Sequence, residues 1–198
     1  MIGNFIAQKN TFVSVCFGIS VFCILILFPG SGFSQSEEYR NLLSTGMSLN
    51  RMGRHKDALD KLQQALKFSL RETGADSNET AGLFRLLAFT FLPLGQRSEA
   101  ESHFQKFIEI TELNFGPDSQ NVLGGLIPLA NLYHAQVRYQ AAETLFKRIL
   151  FIVEKHFGVE DTRVAISLNN LAELYRVQAR YAEAEQLYQR SLKIRNKY

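Results

Sequence analysis

Residues 168–194 read LNNLAELYRVQARYAEAEQLYQRSLKI, and this stretch decides the fold class. In its first half, apolar residues recur every three or four positions, which places them along one side of an α-helix. They are Leu168, Leu171, Ala172 and Tyr175. After a break at residues 178–180 the same spacing returns, at Tyr181, Ala184, Leu187, Tyr188, Ser191 and Leu192. The stretch therefore predicts two amphipathic helices joined by a tight turn.

The remainder of the chain repeats this pattern with a period of 42 residues. Three independent series of small residues share that spacing. They are Gly53, Gly95, Val137 and Ala179; Ala58, Ala100, Ala142 and Ala184; and Gly74, Gly116 and Gly158. Four repeats follow, at about residues 36–77, 78–119, 120–161 and 162–198. Because the alternation typical of strands is absent from the sequence, each repeat is predicted to be a pair of helices.

Small residues are predicted where the two helices of each repeat meet. The first helices carry Gly46, Ala88, Ala130 and Ala172 there, and a larger side chain fills the space above the contact, at Leu62, Phe104, Phe146 and Tyr188. Between repeats, a glycine is predicted to end the second helix in the left-handed conformation. An acid two residues further on suits the start of the next helix. These acids are Asp76, Asp118 and Glu160.

The small-residue and aromatic positions resemble those of the tetratricopeptide repeat family in all four repeats, over residues 36–198. The 42-residue length, the sequence LNNLAELY and the G-x-D-type joint are similar to the kinesin-light-chain-like branch. The resemblance implies an all-α fold, a right-handed α-solenoid of antiparallel helix pairs, in a domain spanning residues 35–198. The first repeat departs from the pattern at Thr45 and His55, as a terminal capping repeat would.

In that family, the first helices line a concave wall that holds a partner polypeptide. The resemblance places seven candidate partner-binding residues on this wall: Asn169, Asn170, Glu173, Arg176, Asn131, His134 and Arg85. The amide of Asn170 suits a backbone clamp because it can donate and accept at once. The equivalent positions are Pro128, Leu86 and Ser44, so a row of asparagines is missing and the central groove is predicted to be more apolar. Pro128 is expected to kink its helix.

Residues 11–28, TFVSVCFGISVFCILILF, are uncharged, and Lys9 is the one charged side chain before them. This pattern predicts that residues 1–34 are a secretory signal peptide, cleaved after Ser34, or an uncleaved membrane anchor. In both interpretations residues 35–198 lie outside the cytoplasm. The protein is thus expected to be secreted or periplasmic, or anchored by a single span, and to contact the membrane only through residues 11–28 if these are retained.

Composition argues against several other functions. Lys and Arg total 22 against 19 Asp and Glu, a net charge of +3, which is too balanced for a nucleic-acid partner. Both cysteines, Cys16 and Cys23, precede the repeats, and none of the four histidines lies three or four residues from another. Because no catalytic or metal-binding motif occurs in the sequence, we expect no cofactor, no metal and no enzymatic activity.

The leading hypothesis is a non-enzymatic interaction module that binds a partner polypeptide in the groove. The alternative is a structural or assembly subunit of an envelope complex that docks through the exposed face of its last helix. That face carries Tyr181, Leu187, Leu192 and Ile194, and the sequence given ends at Tyr198. The same face is where self-association is predicted. A third possibility is an accessory domain of a separate enzyme.

Overall fold

The computed structural model describes the backbone of residues 31–197 and the side chains from residue 37 to residue 197. The chain divides into two compact units, Met1–Asn41 and Leu42–Tyr198. Of the first unit, the structure describes residues 31–41, which are helical. The apolar segment at residues 11–28 lies outside the described residues. Within the described part, no helix has the length and apolar character needed to cross a membrane.

Eight α-helices and no strand occur in the described residues. They are α1 (Ser31–Arg51), α2 (His55–Glu72), α3 (Asn78–Phe91), α4 (Arg97–Phe115), α5 (Leu123–Ala135), α6 (Tyr139–Phe157), α7 (Thr162–Val177) and α8 (Tyr181–Arg195). Two short 3₁₀ turns, Leu92–Leu94 and Gln120–Val122, follow α3 and precede α5. Each helix from α3 on packs against its neighbours in sequence. The predicted all-α fold, a right-handed α-solenoid of antiparallel helix pairs, is confirmed.

The helix pairs meet at the small residues that the sequence indicates. Ala88, Ala130 and Ala172 are fully buried, and so are their counterparts Ala58, Ala100 and Ala142. In the first pair a Cβ at Gly46 would lie 2.7 Å from Leu62 Cδ2, closer than carbon atoms pack. Close approach of the helices therefore depends on these side chains being small, since interiors hold little spare volume.

The turn inside each helix pair uses one left-handed residue, at a position that recurs every 42 residues. It is Gly53 (φ 74°), Gly95 (φ 73°), Val137 (φ 63°) or Ala179 (φ 59°). Glycine adopts this conformation readily, whereas a Cβ crowds the following carbonyl and raises its free energy. The third and fourth repeats therefore carry backbone strain at Val137 and Ala179 that the first two lack.

The joints between pairs differ in two respects from the sequence-based prediction. Gly74, Gly116 and Gly158 follow α2, α4 and α6 with φ of 86–89°, but ψ is 155° at Gly116 and 152° at Gly158, an extended conformation open to glycine and not the predicted left-handed helical one. The next helix, however, is capped by the residue after the predicted acid. Ser77, Ser119 and Asp161 accept a hydrogen bond from a backbone N–H two or three residues on. Two of the acids instead pair with a lysine, Asp118 with Lys155 of α6 at 2.8 Å and Glu160 with Lys197, two residues beyond the end of α8.

Two prolines shape the first helices. Helix α5 continues through Pro128, which removes one donor from the helix without ending it. Helix α3 stops at Phe91, two residues before Pro93, and passes into a 3₁₀ turn. A proline is compatible with that turn because its fixed φ suits the first residues of a helical segment.

Candidate functional site

Arg85 lies in a groove of about 370 Å³ between α3, α4 and the turn before α5. The groove is lined by Asn78, Ala81, Gly82, Arg85, Phe107, Thr111, Phe115 and Asn121. The guanidinium carbon of Arg85 lies 5.4 Å from the centre of the Phe107 ring, a distance at which the aromatic face attracts a cation. Among the described residues, no carboxylate forms an ion pair with Arg85. The groove therefore offers an unneutralised positive charge above an aromatic floor.

Gly124 provides the space that Arg85 occupies. A Cβ at this position would lie 3.0 Å from Arg85 Nη1 and 3.3 Å from Phe107 Cζ. At the other side of the groove, Asn114 Nδ2 donates a hydrogen bond of 3.1 Å to Asn78 Oδ1, which orients the Asn78 amide. A guanidinium next to amide groups can bind a carboxylate or peptide carbonyls, since it presents several fixed donors.

The predicted wall residues of α5 lie apart from this groove. Asn131 is exposed, and His134 is half-buried with its ring centre 5.9 Å from that of Tyr139. On α7, Asn169 and Asn170 are both half-buried. These side chains are accessible polar groups, and none of them lines the Arg85 groove.

The structure does bring Glu173 and Arg176 together. Arg176 Nε donates to Glu173 Oε2 at 2.8 Å, and Arg176 Nη2 donates to Glu173 Oε1 at 2.6 Å. Tyr188 of α8 donates a third hydrogen bond, of 3.1 Å, to Glu173 Oε2. Such paired charge-assisted bonds fix the two side chains relative to each other.

The hydrogen bonds from Arg176, and to a smaller extent the hydrogen bond from the Tyr188 hydroxyl, together lower the pKa of Glu173 to about 2, although partial burial opposes this. A smaller contribution comes from the charge of His134 on the preceding first helix. In return, Glu173 raises the pKa of Arg176. Both groups therefore stay ionised and neutralise each other at physiological pH. Arg176 is a partnered cation, unlike Arg85.

Sequence reasoning missed a contact set that joins consecutive helix pairs. Glu143 of α6 accepts hydrogen bonds from Tyr175 Oη at 3.0 Å and from Arg180 Nη1 at 2.7 Å. It also pairs with Lys147 at 2.6 Å, and the Arg180 guanidinium carbon lies 3.8 Å from the centre of the Tyr175 ring. Burial alone would raise the pKa of Glu143, but the hydrogen bonds from Lys147, Arg180 and Tyr175 outweigh it and lower the pKa to about 2.

The preceding joint repeats this set 42 residues upstream. Glu101 accepts from Tyr133 Oη at 2.9 Å and from Arg138 Nη1 at 2.6 Å, and Arg138 lies over the Tyr133 ring at 4.0 Å. A second periodic pairing joins the second helices, Arg148 with Glu112 at 2.7 Å and Arg190 with Glu154 at 2.6 Å. The sequence does contain a sign of the first set, because its acid, its tyrosine and its arginine each recur after 42 residues.

Comparison with known proteins agrees with this geometry. A family model described as "Tetratricopeptide repeat" matches residues 40–113 and 121–197. The chain belongs to the tetratricopeptide repeat family. No curated protein matches it in sequence. Tetratricopeptide repeats imply a protein–protein interaction module, and this fold is typically non-enzymatic. In the described residues, no group of three His, Cys, Asp or Glu side chains could hold a metal ion.

Several solved structures are similar in fold. The crystal structure of BtubC (BKLC) from P. vanneervenii has a TM-score of 0.73 and 24% identity, covering 80% of this chain and 63% of BtubC. This chain thus spans less than two thirds of the length of BtubC. A putative kinesin light chain with nearly identical TPR-like repeats from Podosopora anserina has a TM-score of 0.70 and 19% identity, covering 96% of this chain and 90% of its own.

A third similar structure is aspartyl phosphate phosphatase F from Bacillus subtilis. It has a TM-score of 0.68 and 20% identity, covering 87% of this chain and 43% of that protein. At these identities the likeness shows the fold and not a shared activity. The predicted kinesin-light-chain-like type of repeat is confirmed by the neighbours.

Proposed function

We propose that this protein is a non-enzymatic module that binds a partner polypeptide along the wall formed by α3, α5 and α7, with the Arg85 groove as its anchor. The proposal rests on Arg85, which lies above Phe107 in an open groove and has no acidic partner among the described residues. A carboxylate of the partner, from an acidic side chain or a chain terminus, is the group that Arg85 would bind.

Three asparagines on α5 and α7 add polar groups to the wall. Asn131, Asn169 and Asn170 offer amides that can pair with an extended backbone without adding charge. The mutual neutralisation of Glu173 and Arg176 leaves Arg85 as the charge that selects the partner. We therefore expect an acidic segment at the α3 end of the wall and an uncharged one near α7.

The experiment is affinity capture with the tagged full-length protein, followed by mass spectrometry. Arg85→Ala should reduce recovery of the bound partner at least tenfold, and Asn170→Ala with Arg176→Ala should weaken it further. Arg71→Ala is the matched control, because Arg71 is an exposed arginine of the second helix α2. Recovery that is equal for Arg85→Ala, Arg71→Ala and the unchanged chain would contradict the groove as the binding site.

We also propose that the repeats act outside the cytoplasm, released by cleavage after Ser34 or tethered through residues 11–28. Support comes from the uncharged run and the single upstream Lys9. The mass spectrum of the purified protein tests the two forms, because a mature N-terminus at Gln35 indicates a cleaved signal and an intact Met1 indicates an anchor. Fractionation that finds the repeats in the cytoplasm would contradict both.

A second candidate function is assembly through the α8 face, by a partner or by self-association. Leu192 is 58% exposed, whereas Ile108, at the same position of the second repeat, is 8% exposed. Ile194, which the sequence assigns to the same exposed face, is instead 5% exposed and belongs to the core. Leu192→Asp tests this candidate, since it changes an exposed side chain and leaves the core intact. Loss of capture with Leu192→Asp but not with Arg85→Ala would favour assembly over groove binding.

A further inference from the structure

Glu185 occupies the position in α8 that Glu101 and Glu143 occupy in α4 and α6. Both earlier carboxylates accept a tyrosine hydroxyl and an arginine from the next helix pair. Glu185 is exposed, and the hydrogen bond that the structure gives it comes from Gln189 Nε2 at 3.0 Å, one turn along its own helix. Glu185 therefore presents the same acceptor without the donors that its two counterparts have.

Several apolar side chains around Glu185 are more exposed than the apolar side chains at the same positions of earlier repeats. Tyr181 and Leu192 are 66% and 58% exposed. Tyr188 is half-buried, although its counterparts Phe104 and Phe146 are almost completely buried. An open groove of about 420 Å³ lies at this place. It is lined by Arg176, Tyr181, Ala184, Glu185, Tyr188, Gln189 and Leu192.

We propose that this groove is a docking site for one tetratricopeptide-type helix pair of a partner protein, whose first helix carries a tyrosine and whose turn, five residues further on, carries an arginine. The tyrosine hydroxyl and the guanidinium bind Glu185, and the guanidinium stacks on the tyrosine ring, as Arg180 stacks on Tyr175 at 3.8 Å. The apolar side of the docked helix covers Tyr188 and Leu192. The inference deepens the second candidate function and rests on it, and it does not depend on the Arg85 groove.

A second copy of this chain does not supply a free tyrosine and arginine. Both of its pairs are already bound, Tyr133 and Arg138 to Glu101, and Tyr175 and Arg180 to Glu143. The same positions of the first two repeats hold Leu49 with Arg54 and Phe91 with Gln96. Arg54 is paired with Asp57 at 2.7 Å, and neither Leu49 nor Phe91 has a hydroxyl to donate. The complementary donors must therefore come from another helix pair.

The proposal can be tested by extending the full chain with one more helix pair that carries the tyrosine and the arginine. A copy of residues 156–197 joined directly after Lys197 keeps the 42-residue period, so the copied Tyr175 and Arg180 face Glu185. We expect Glu185→Gln to lower the Tm of the extended chain by about 2–4 °C and to leave the Tm of the unextended chain within about 1 °C. Replacing the copied Arg180 by Gln should lower the Tm of the extended chain similarly, and the two changes together should cost less than their sum.

An equal effect of Glu185→Gln in the extended and unextended chains would overturn the proposal, and so would full additivity of the two changes. Light scattering on the unextended chain tests whether a second copy of the chain binds in this groove instead. A dimer that Leu192→Asp dissociates would assign the face to a second copy and overturn the choice of a partner protein, whereas a monomer agrees with it. Neither measurement involves Arg85, so failure of this proposal can be distinguished from failure of partner binding at the Arg85 groove.

Discussion

The hydroxyl of Tyr175 donates a hydrogen bond of 3.0 Å to Glu143 Oε1, across the joint between the third and fourth helix pairs. Glu143 is 7% exposed, and its other oxygen accepts from Arg180 at 2.7 Å. A buried carboxylate is tolerated only when charges and hydrogen bonds compensate for its lost hydration. The contact between consecutive helix pairs is thus specified by polar side chains as well as by apolar packing.

Replacing Glu143 by Gln should lower the free energy of unfolding by about 1–3 kcal/mol, because the charge-assisted bonds from Tyr175, Arg180 and Lys147 weaken together. Thermal or urea denaturation followed by circular dichroism measures this loss. Glu185→Gln is the matched control, with an expected change within about 0.5 kcal/mol, since Glu185 is exposed. Equal effects of the two changes would show that the Glu143 contacts contribute nothing to stability.

Acid should weaken the fold partly through Glu143. Its pKa is about 2 in the folded chain against an ordinary value of 4.5, so the folded state binds fewer protons than the unfolded one. This contribution to stability is complete above about pH 4.5 and is lost as the pH falls from 4.5 towards 2. Denaturation at a series of pH values should show a shallower loss for Glu143→Gln. A slope that remains unchanged in the variant would contradict this assignment.

Ala179→Gly should stabilise the protein by about 0.5–1 kcal/mol. Glycine adopts the left-handed conformation at φ 59° without the strain that the alanine Cβ causes, which stabilises the folded state by about 1–2 kcal/mol. The greater freedom of glycine in the unfolded chain offsets part of this gain. Val137→Gly should gain at least as much, because a β-branched side chain is worse in this region. The reverse change, Gly95→Ala, should lower the Tm, and a rise in Tm with Gly95→Ala would refute the argument.

Two helical glycines should respond to alanine in opposite directions. A Cβ at Gly82 meets nothing within 4 Å, so Gly82→Ala should stabilise α3 by about 0.5–1 kcal/mol. A Cβ at Gly125 would lie 2.6 Å from Phe107 Cδ1 and 2.7 Å from Ile108 Cγ1, so Gly125→Ala should destabilise by about 1–2 kcal/mol. Chemical denaturation distinguishes them, and a gain in stability for Gly125→Ala would contradict the close contact of α5 with α4.

The sequence predicts the helix pairs well because their determinants are local and periodic. The apolar spacing from Leu168 onward, and small residues such as Ala172, define helices and contacts without knowledge of the tertiary structure. Glu173 and Arg176 were predicted as partner-binding residues and not as an ion pair, although their spacing of three residues on one helix allows the pair that the structure shows. The assignment of residues 1–34 and the binding roles of the wall residues remain predictions.

Other features depend on contacts that spacing alone does not reveal. Ser77 caps α3 in place of Asp76 because the capping residue is set by where the chain leaves the glycine turn. The groove at Arg85 exists because Gly124, on the next first helix, has no side chain to fill it. Periodicity shows that Glu143 recurs, but only the packed structure shows that it meets Tyr175 of the following pair.

The second, third and fourth helix pairs are joined by a carboxylate of one pair and an arginine of the next. A double-mutant cycle of Glu143→Gln and Arg180→Gln, with the free energy of unfolding measured by urea denaturation, tests this connection between the third and fourth pairs. We expect a coupling energy of about 1 kcal/mol or more between the two side chains. Additive effects, with a coupling indistinguishable from zero, would contradict the account.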